Sequence, residues 1–62
     1  MNRVREVRLE LGLTQRELSK IAKIRQAEIS LIENDLKPNL SIPIAQRLAK
    51  ALGKTMDYLF PY

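Results

Sequence analysis

Residues 14–34 read TQRELSKIAKIRQAEISLIEN, and the interpretation of this stretch decides the fold. Thr14 followed three residues later by Glu17 is a capping box, in which the hydroxyl accepts from the Glu17 amide and the Glu17 carboxylate accepts from the Thr14 amide. A helix is predicted to start there, with Leu18, Ile21 and Ala22 facing inward. Ile29 and Ile32 then recur at i, i+3, which predicts another helix over Gln26 to Glu33. Only about three or four residues separate the two helices. So short a connection sets them steeply crossed, as in a helix-turn-helix, and lets the later helix project. Its outward residues are Gln26, Ala27, Glu28, Ser30 and Leu31, mostly short or amide-bearing, a surface suited to close approach.

Upstream, Val4, Val7 and Leu11 fall at i, i+3, i+7 among arginines and glutamates, and Gly12 is a natural stop, so a helix is predicted over Asn2 to Leu11. Downstream, DLKPNL (residues 35–40) reads as the main loop. Ser41 follows as an N-cap, with Pro43 tolerated in the first turn of a helix over Ile42 to Leu52 that packs Ile44, Ala45, Leu48, Ala49 and Leu52. Gly53 ends that helix, and Thr55 caps a last short one carrying Met56, Leu59 and Phe60. No run alternates with period two, and there is no repeat or low-complexity tract. The expectation is an all-α, compact five-helix single domain over residues 1–62.

Composition narrows the chemistry. The 62 residues include no cysteine and no histidine, which removes disulfides, thiolate metal sites and the commonest general base. No catalytic residue, cofactor or metal is expected, and a chain that buries only about 60% of its unfolded surface has little room for a substrate cleft. There is no nucleophile–base pair beyond scattered serines and carboxylates, so an enzyme is the weakest reading. No apolar run approaches the roughly 20 residues of a membrane span, and MNRVREVRLE has no signal-peptide apolar region. The expected setting is the cytoplasm, with no membrane partner. Eleven Lys and Arg against seven Asp and Glu give a net charge of +4, which favours a polyanionic partner or serves only solubility. Single-stranded RNA is disfavoured because no aromatic platform interleaves with the basic residues.

GLTQRELSKIAKI followed by ISLIEN, with VRLELGLTQ leading in and SIPIAQRLAKALGKTMDYLF behind, resembles the helix-turn-helix domains of the Cro and phage-repressor (XRE-like) transcriptional regulators. The likeness runs over essentially the whole chain and combines about a dozen positions at fixed spacing. It implies a lambda-repressor-like fold and a partner in double-stranded operator DNA, with the helix at 26–33 lying in the major groove. Gln26, Ala27, Glu28 and Leu31 are then base-facing: Gln26 suits an adenine edge, Ala27 and Leu31 thymine methyls, and Glu28 a cytosine amine. The plainer alternative for Gln26 and Glu28 is a solvated helix face. Gln15 is expected on a phosphate beside the free amides of its helix, and Asn34 and Lys37 resemble a second phosphate clamp. Arg25, at the entry to the reading helix, is expected on backbone or base. Arg16, Lys20 and Lys23 add long-range attraction or are solvated charges. The resemblance also implies a partly buried ion pair between Arg8 and Glu33, which on sequence alone are equally compatible with surface charges.

Three positions depart from the family pattern. Lys23 stands where the turn usually has glycine, Arg25 where a Ser or Thr usually caps the reading helix, and Asp35 where glycine usually follows IEN. Tyr58, Leu59 and Phe60 are consecutive and cannot all face one core. With Tyr62, Tyr58 and Phe60 are therefore candidate contacts of a homodimer, the alternative being a tail folded over its own core. The function expected is sequence-specific regulation of transcription, in the form of a repressor. The alternative is a protein-interaction module, such as the antitoxin of a toxin pair, with a protein partner of its own.

Overall fold

The computed structural model describes residues 1–37 and 39–62. Among these the chain is all-helical: α1 (Val4–Glu10), α2 (Gln15–Ala22), α3 (Gln26–Glu33), α4 (Ile42–Leu52) and α5 (Met56–Leu59). Pro38, within the loop expected at 35–40, lies outside the described residues.

Local chemistry sets most of the boundaries. The capping box at α2 has both of its hydrogen bonds, Glu17 N to Thr14 Oγ1 at 3.0 Å and Thr14 N to Glu17 Oε1 at 2.8 Å. Ser41 caps α4 and Thr55 caps α5 through their hydroxyls. Gly53 closes α4 in the left-handed region, where a side chain would be strained. α1 begins two residues later than the pattern suggests because Asn2 leaves the helix: its Oδ1 accepts from the Val4 amide, and its Nδ2 donates to the Ile32 carbonyl.

α2 packs on α3 and on α4, while α1 and α5 close the other side of α4. The core is Val4, Val7, Leu18, Ala22, Ile24, Ile29, Ile32, Leu48, Leu52 and Leu59. Each aliphatic side chain fully buried here contributes roughly 1.5–3 kcal/mol. Ala45 is buried beside it, and Ile44, Ala49 and Phe60 are partly covered, with Phe60 falling just beyond the end of α5. Met56 lies on the exposed side of that helix.

Two inward assignments fail. Leu11 is 53% exposed because α1 has already ended, and the partly buried Leu13 packs against the core instead. Ile21 is also 53% exposed. Taking Leu18 as the origin and about 100° per residue, Ala22 lies near 40°, Gln15 near 60° and Ser19 near 100°, whereas Ile21 falls near −60°. The inward arc of α2 is therefore shared with two polar residues. The apolar residue that replaces Ile21 in the core is Ile24, supplied by the turn.

Candidate nucleic-acid interface

The connection between α2 and α3 consists of Lys23, Ile24 and Arg25. Lys23 adopts φ 57 and ψ 47, the left-handed conformation a glycine would take without strain. Three contacts hold it there. The Lys23 amide donates to the Ser19 carbonyl, the Ile24 amide donates to the same oxygen, and the Ser19 hydroxyl donates to the Ile24 carbonyl. Ile24 is buried beneath the turn, which anchors it from inside. The turn between the two helices thus forms without glycine.

α3 turns Ile29 and Ile32 into the core and leaves Gln26, Ala27 and Leu31 exposed, with Glu28 and Ser30 half-buried. Arg25 is the N-cap at φ −60 and ψ 140, and its side chain makes no capping hydrogen bond. The amides of the first turn of α3 therefore receive no side-chain acceptor from the cap position. Glu28 and Lys37 form an ion pair at 3.4 Å, so the acid on this face carries its own counter-charge.

At the other end of α3 the chain concentrates its polar contacts on Glu33, whose side chain is fully buried. Arg8 donates to it from Nε at 2.7 Å and from Nη2 at 3.2 Å, and Arg8 Nη1 also holds the Leu13 carbonyl at 2.8 Å. Gln15 Nε2 donates to Glu33 Oε1 at 3.2 Å, and Arg5 Nε reaches the same oxygen at 3.3 Å. Burial pushes the Glu33 carboxyl up. The hydrogen bonds from Arg8 and Gln15, the charge of Arg8 and the hydrogen bond from Arg5 outweigh it, and the group ends below its ordinary value of 4.5. Among the described residues no buried side-chain nitrogen or oxygen lacks a partner, the condition under which a buried ion pair is tolerated.

The network reaches the edge of the exposed face. Arg5 Nη2 donates to Asn34 Oδ1 at 2.8 Å, and Asn34 Nδ2 donates to the Ser30 carbonyl at 2.8 Å, so the amide orientation of Asn34 is set from both sides. Gln15 and Asn34, on different helices, are thereby tied through Glu33 and Arg5. Arg5 was not among the residues singled out from the sequence. It lies three positions before Arg8, on the same face of α1, and that spacing was the available signal.

Asp35 has φ 55, again left-handed, and its carboxylate accepts from Asn2 Nδ2 at 2.9 Å and from Tyr62 Oη at 3.2 Å. Of the three candidate dimer contacts, Tyr58 is half-buried, with the Arg3 guanidinium 4.6 Å and the Lys54 ammonium 5.0 Å from its ring centroid. Phe60 is half-buried against the core, and Tyr62 is 80% exposed.

Two packed helices of eight residues joined by a three-residue turn, the later one exposing Gln26, Ala27 and Leu31, make a helix-turn-helix. A family model described as helix-turn-helix matches residues 4–59. The chain belongs to the XRE/Cro-repressor-like helix-turn-helix family. It is accordingly a DNA-binding helix-turn-helix protein of a family that binds double-stranded DNA. No curated protein matches it. In this helix-turn-helix protein a stapled lysine holds the left-handed position of the turn, and the left-handed Asp35 after α3 accepts from Asn2 and Tyr62 near the two termini. Among its described residues no helix is long and apolar enough to cross a membrane.

Proposed function

We propose that the protein is a sequence-specific transcriptional regulator, a repressor that acts by occupying an operator rather than by chemistry. Residues 1–62 act as one domain, and α3 reads the major groove. Gln26, Ala27, Glu28 and Leu31 meet base edges, and Gln15, Arg25, Asn34 and Lys37 meet phosphates. The observation that carries this reading is the network on Glu33. It ties Gln15 at the start of α2 to Asn34 at the end of α3 through Glu33 and Arg5, so the two groups hold a set relation at that end of α3. Phosphate contacts of this kind set register, and the exposed side chains of α3 are then held where bases are read.

The protein works as a homodimer in this proposal. Its longest extent is 25 Å, shorter than the roughly 34 Å that separates half-sites one helical turn apart. One chain therefore spans one half-site. Tyr62, with the exposed edges of Tyr58 and Phe60, supplies the contact between copies. A DNA-binding role of this kind fits the cytoplasm.

Selection of bound sequences from random duplexes tests the proposal. The expected result is a palindrome whose halves are centred about 10–10.5 base pairs, or a multiple of that, apart. Recovery of unpatterned sequence would overturn sequence-specific reading, and recovery of a single unrepeated half-site would overturn the dimer.

A further inference from the structure

The last turn of α2 and the last two turns of α4 leave a groove of about 390 Å³ between them, lined by Ile21, Ala22, Lys23, Arg47, Lys50 and Ala51. Ile21 and Ala51 give it an aliphatic floor, and Ile21 is the residue that the packing of α2 turns out of the core. Its charged lining is wholly cationic: Lys23, Arg47 and Lys50, with no carboxylate among the described lining residues. Arg47 Nη1 lies 3.5 Å from the Lys23 carbonyl, which keeps its guanidinium at the rim and leaves other N–H donors for an anion. The groove sits about 9 Å along the α2 axis from Gln15, six residues at 1.5 Å each, and its lining includes none of the four residues assigned to phosphate, although Arg25 follows Lys23 by two positions.

We infer that this groove docks an acidic amphipathic helix of a partner protein, with its aliphatic side chains on Ile21 and Ala51 and its carboxylates on Lys23, Arg47 and Lys50. Charge complementarity selects the sign of the partner, and the aliphatic floor selects its class. A duplex backbone would satisfy the cations but offers nothing apolar to cover Ile21. An amphipathic helix offers both, through anchors at i, i+3, i+4 and i+7 with acidic residues between them. The contact is small and transient, and it leaves the exposed face of α3 free, so the protein can hold DNA and a partner together. This inference stands whether or not the proposed base contacts are correct.

The probe is a designed helical peptide with Leu on one face and Glu elsewhere, titrated into the isotope-labelled full chain and followed by amide chemical shifts. Saturable shifts confined to residues 21–23 and 47–51 are expected. Ile21→Ser and Lys50→Glu should each weaken binding by at least about fivefold, as for a residue at the centre of an interface. Both residues are exposed, so each variant should stay folded. Lys50→Glu reverses a favourable charge in the last turn of α4, so its melting temperature should fall slightly, and amide shifts away from the groove should match the parent in both variants. Four outcomes overturn the inference: no saturable shift, an equal response to the same peptide with Lys in place of Glu, the same amides shifting with a short duplex, or those amides shifting with protein concentration alone.

Discussion

At Lys23 the backbone holds a conformation that disfavours any side chain by about 1–2 kcal/mol, yet the turn forms because Ser19 and buried Ile24 supply the contacts that keep it. Lys23→Gly should therefore raise the urea stability of the protein by about 1 kcal/mol, and Ser19→Ala should lower it by about 1 kcal/mol. A Lys23→Gly variant no more stable than the parent would show that the turn is unstrained. Glu33 carries a larger share. Arg8→Met alone leaves the buried carboxylate with only Gln15 and the half-exposed Arg5 and should cost up to roughly 3–5 kcal/mol, comparable to the total of roughly 3–9 kcal/mol expected for a chain this small. Arg8→Met combined with Glu33→Leu should recover most of that loss, and failure to recover would mean the pair is not what Arg8 supports. The carboxyl of Glu33 titrates below its ordinary 4.5 in the folded state, so its stabilisation is complete above that pH and is lost as pH falls through the lower folded value. Acid denaturation curves should show this directly: the wild-type advantage over Glu33→Gln should shrink below pH 4.5 and should not change between pH 6 and 8.

What was legible at the scale of the element follows from the range of the interaction. The capping box of Thr14 and Glu17, the Ser41 and Thr55 caps and the Gly53 stop act within a few residues, and each could be read from the chain and was found in place. The core positions of α3, Ile29 and Ile32, were read from their i, i+3 spacing although Ala27 and Leu31 put apolar groups on the opposite, exposed face. α2 was misread at Ile21 for a physical reason. Its buried arc includes Gln15 and Ser19, whose polar groups are drawn inward by Glu33 and by the Ile24 carbonyl, and an apolar residue on the opposite flank has no place in that arc. The staple from Ser19 exists only because the turn is left-handed, which spacing does not show. The spacing of Arg5 from Arg8 marks its face of α1 but not its partners, which depend on α1 packing against the end of α3. Arg5→Ala should consequently loosen Asn34 more than it destabilises the fold. The expected result is weaker DNA binding with at most about 1 kcal/mol lost in stability, since the arginine is half-exposed, and a larger loss of stability with unchanged binding would contradict it.

For the whole molecule, a net charge of +4 on 62 residues is a modest field, and Glu28 on the candidate DNA face is offset by Lys37. Affinity in this account comes mainly from phosphate neutralisation at defined places. Of the four residues assigned to phosphate only Arg25 and Lys37 are cations, so they should give a slope of log K against log salt of about −2 per subunit, steeper only where Arg16, Lys20 or Lys23 also neutralise phosphates. A flat response would remove the electrostatic basis of the account. In the proposed function α3 reads sequence with Gln26 among its readers. That proposal is tested most directly by selecting bound sites from random duplexes with the wild-type protein and with Gln26→Ala in parallel. The same half-site spacing is expected for both, with preference lost at one or two positions per half-site, worth about 1–3 kcal/mol, in the variant. An unchanged motif, with affinity altered or not, would contradict it.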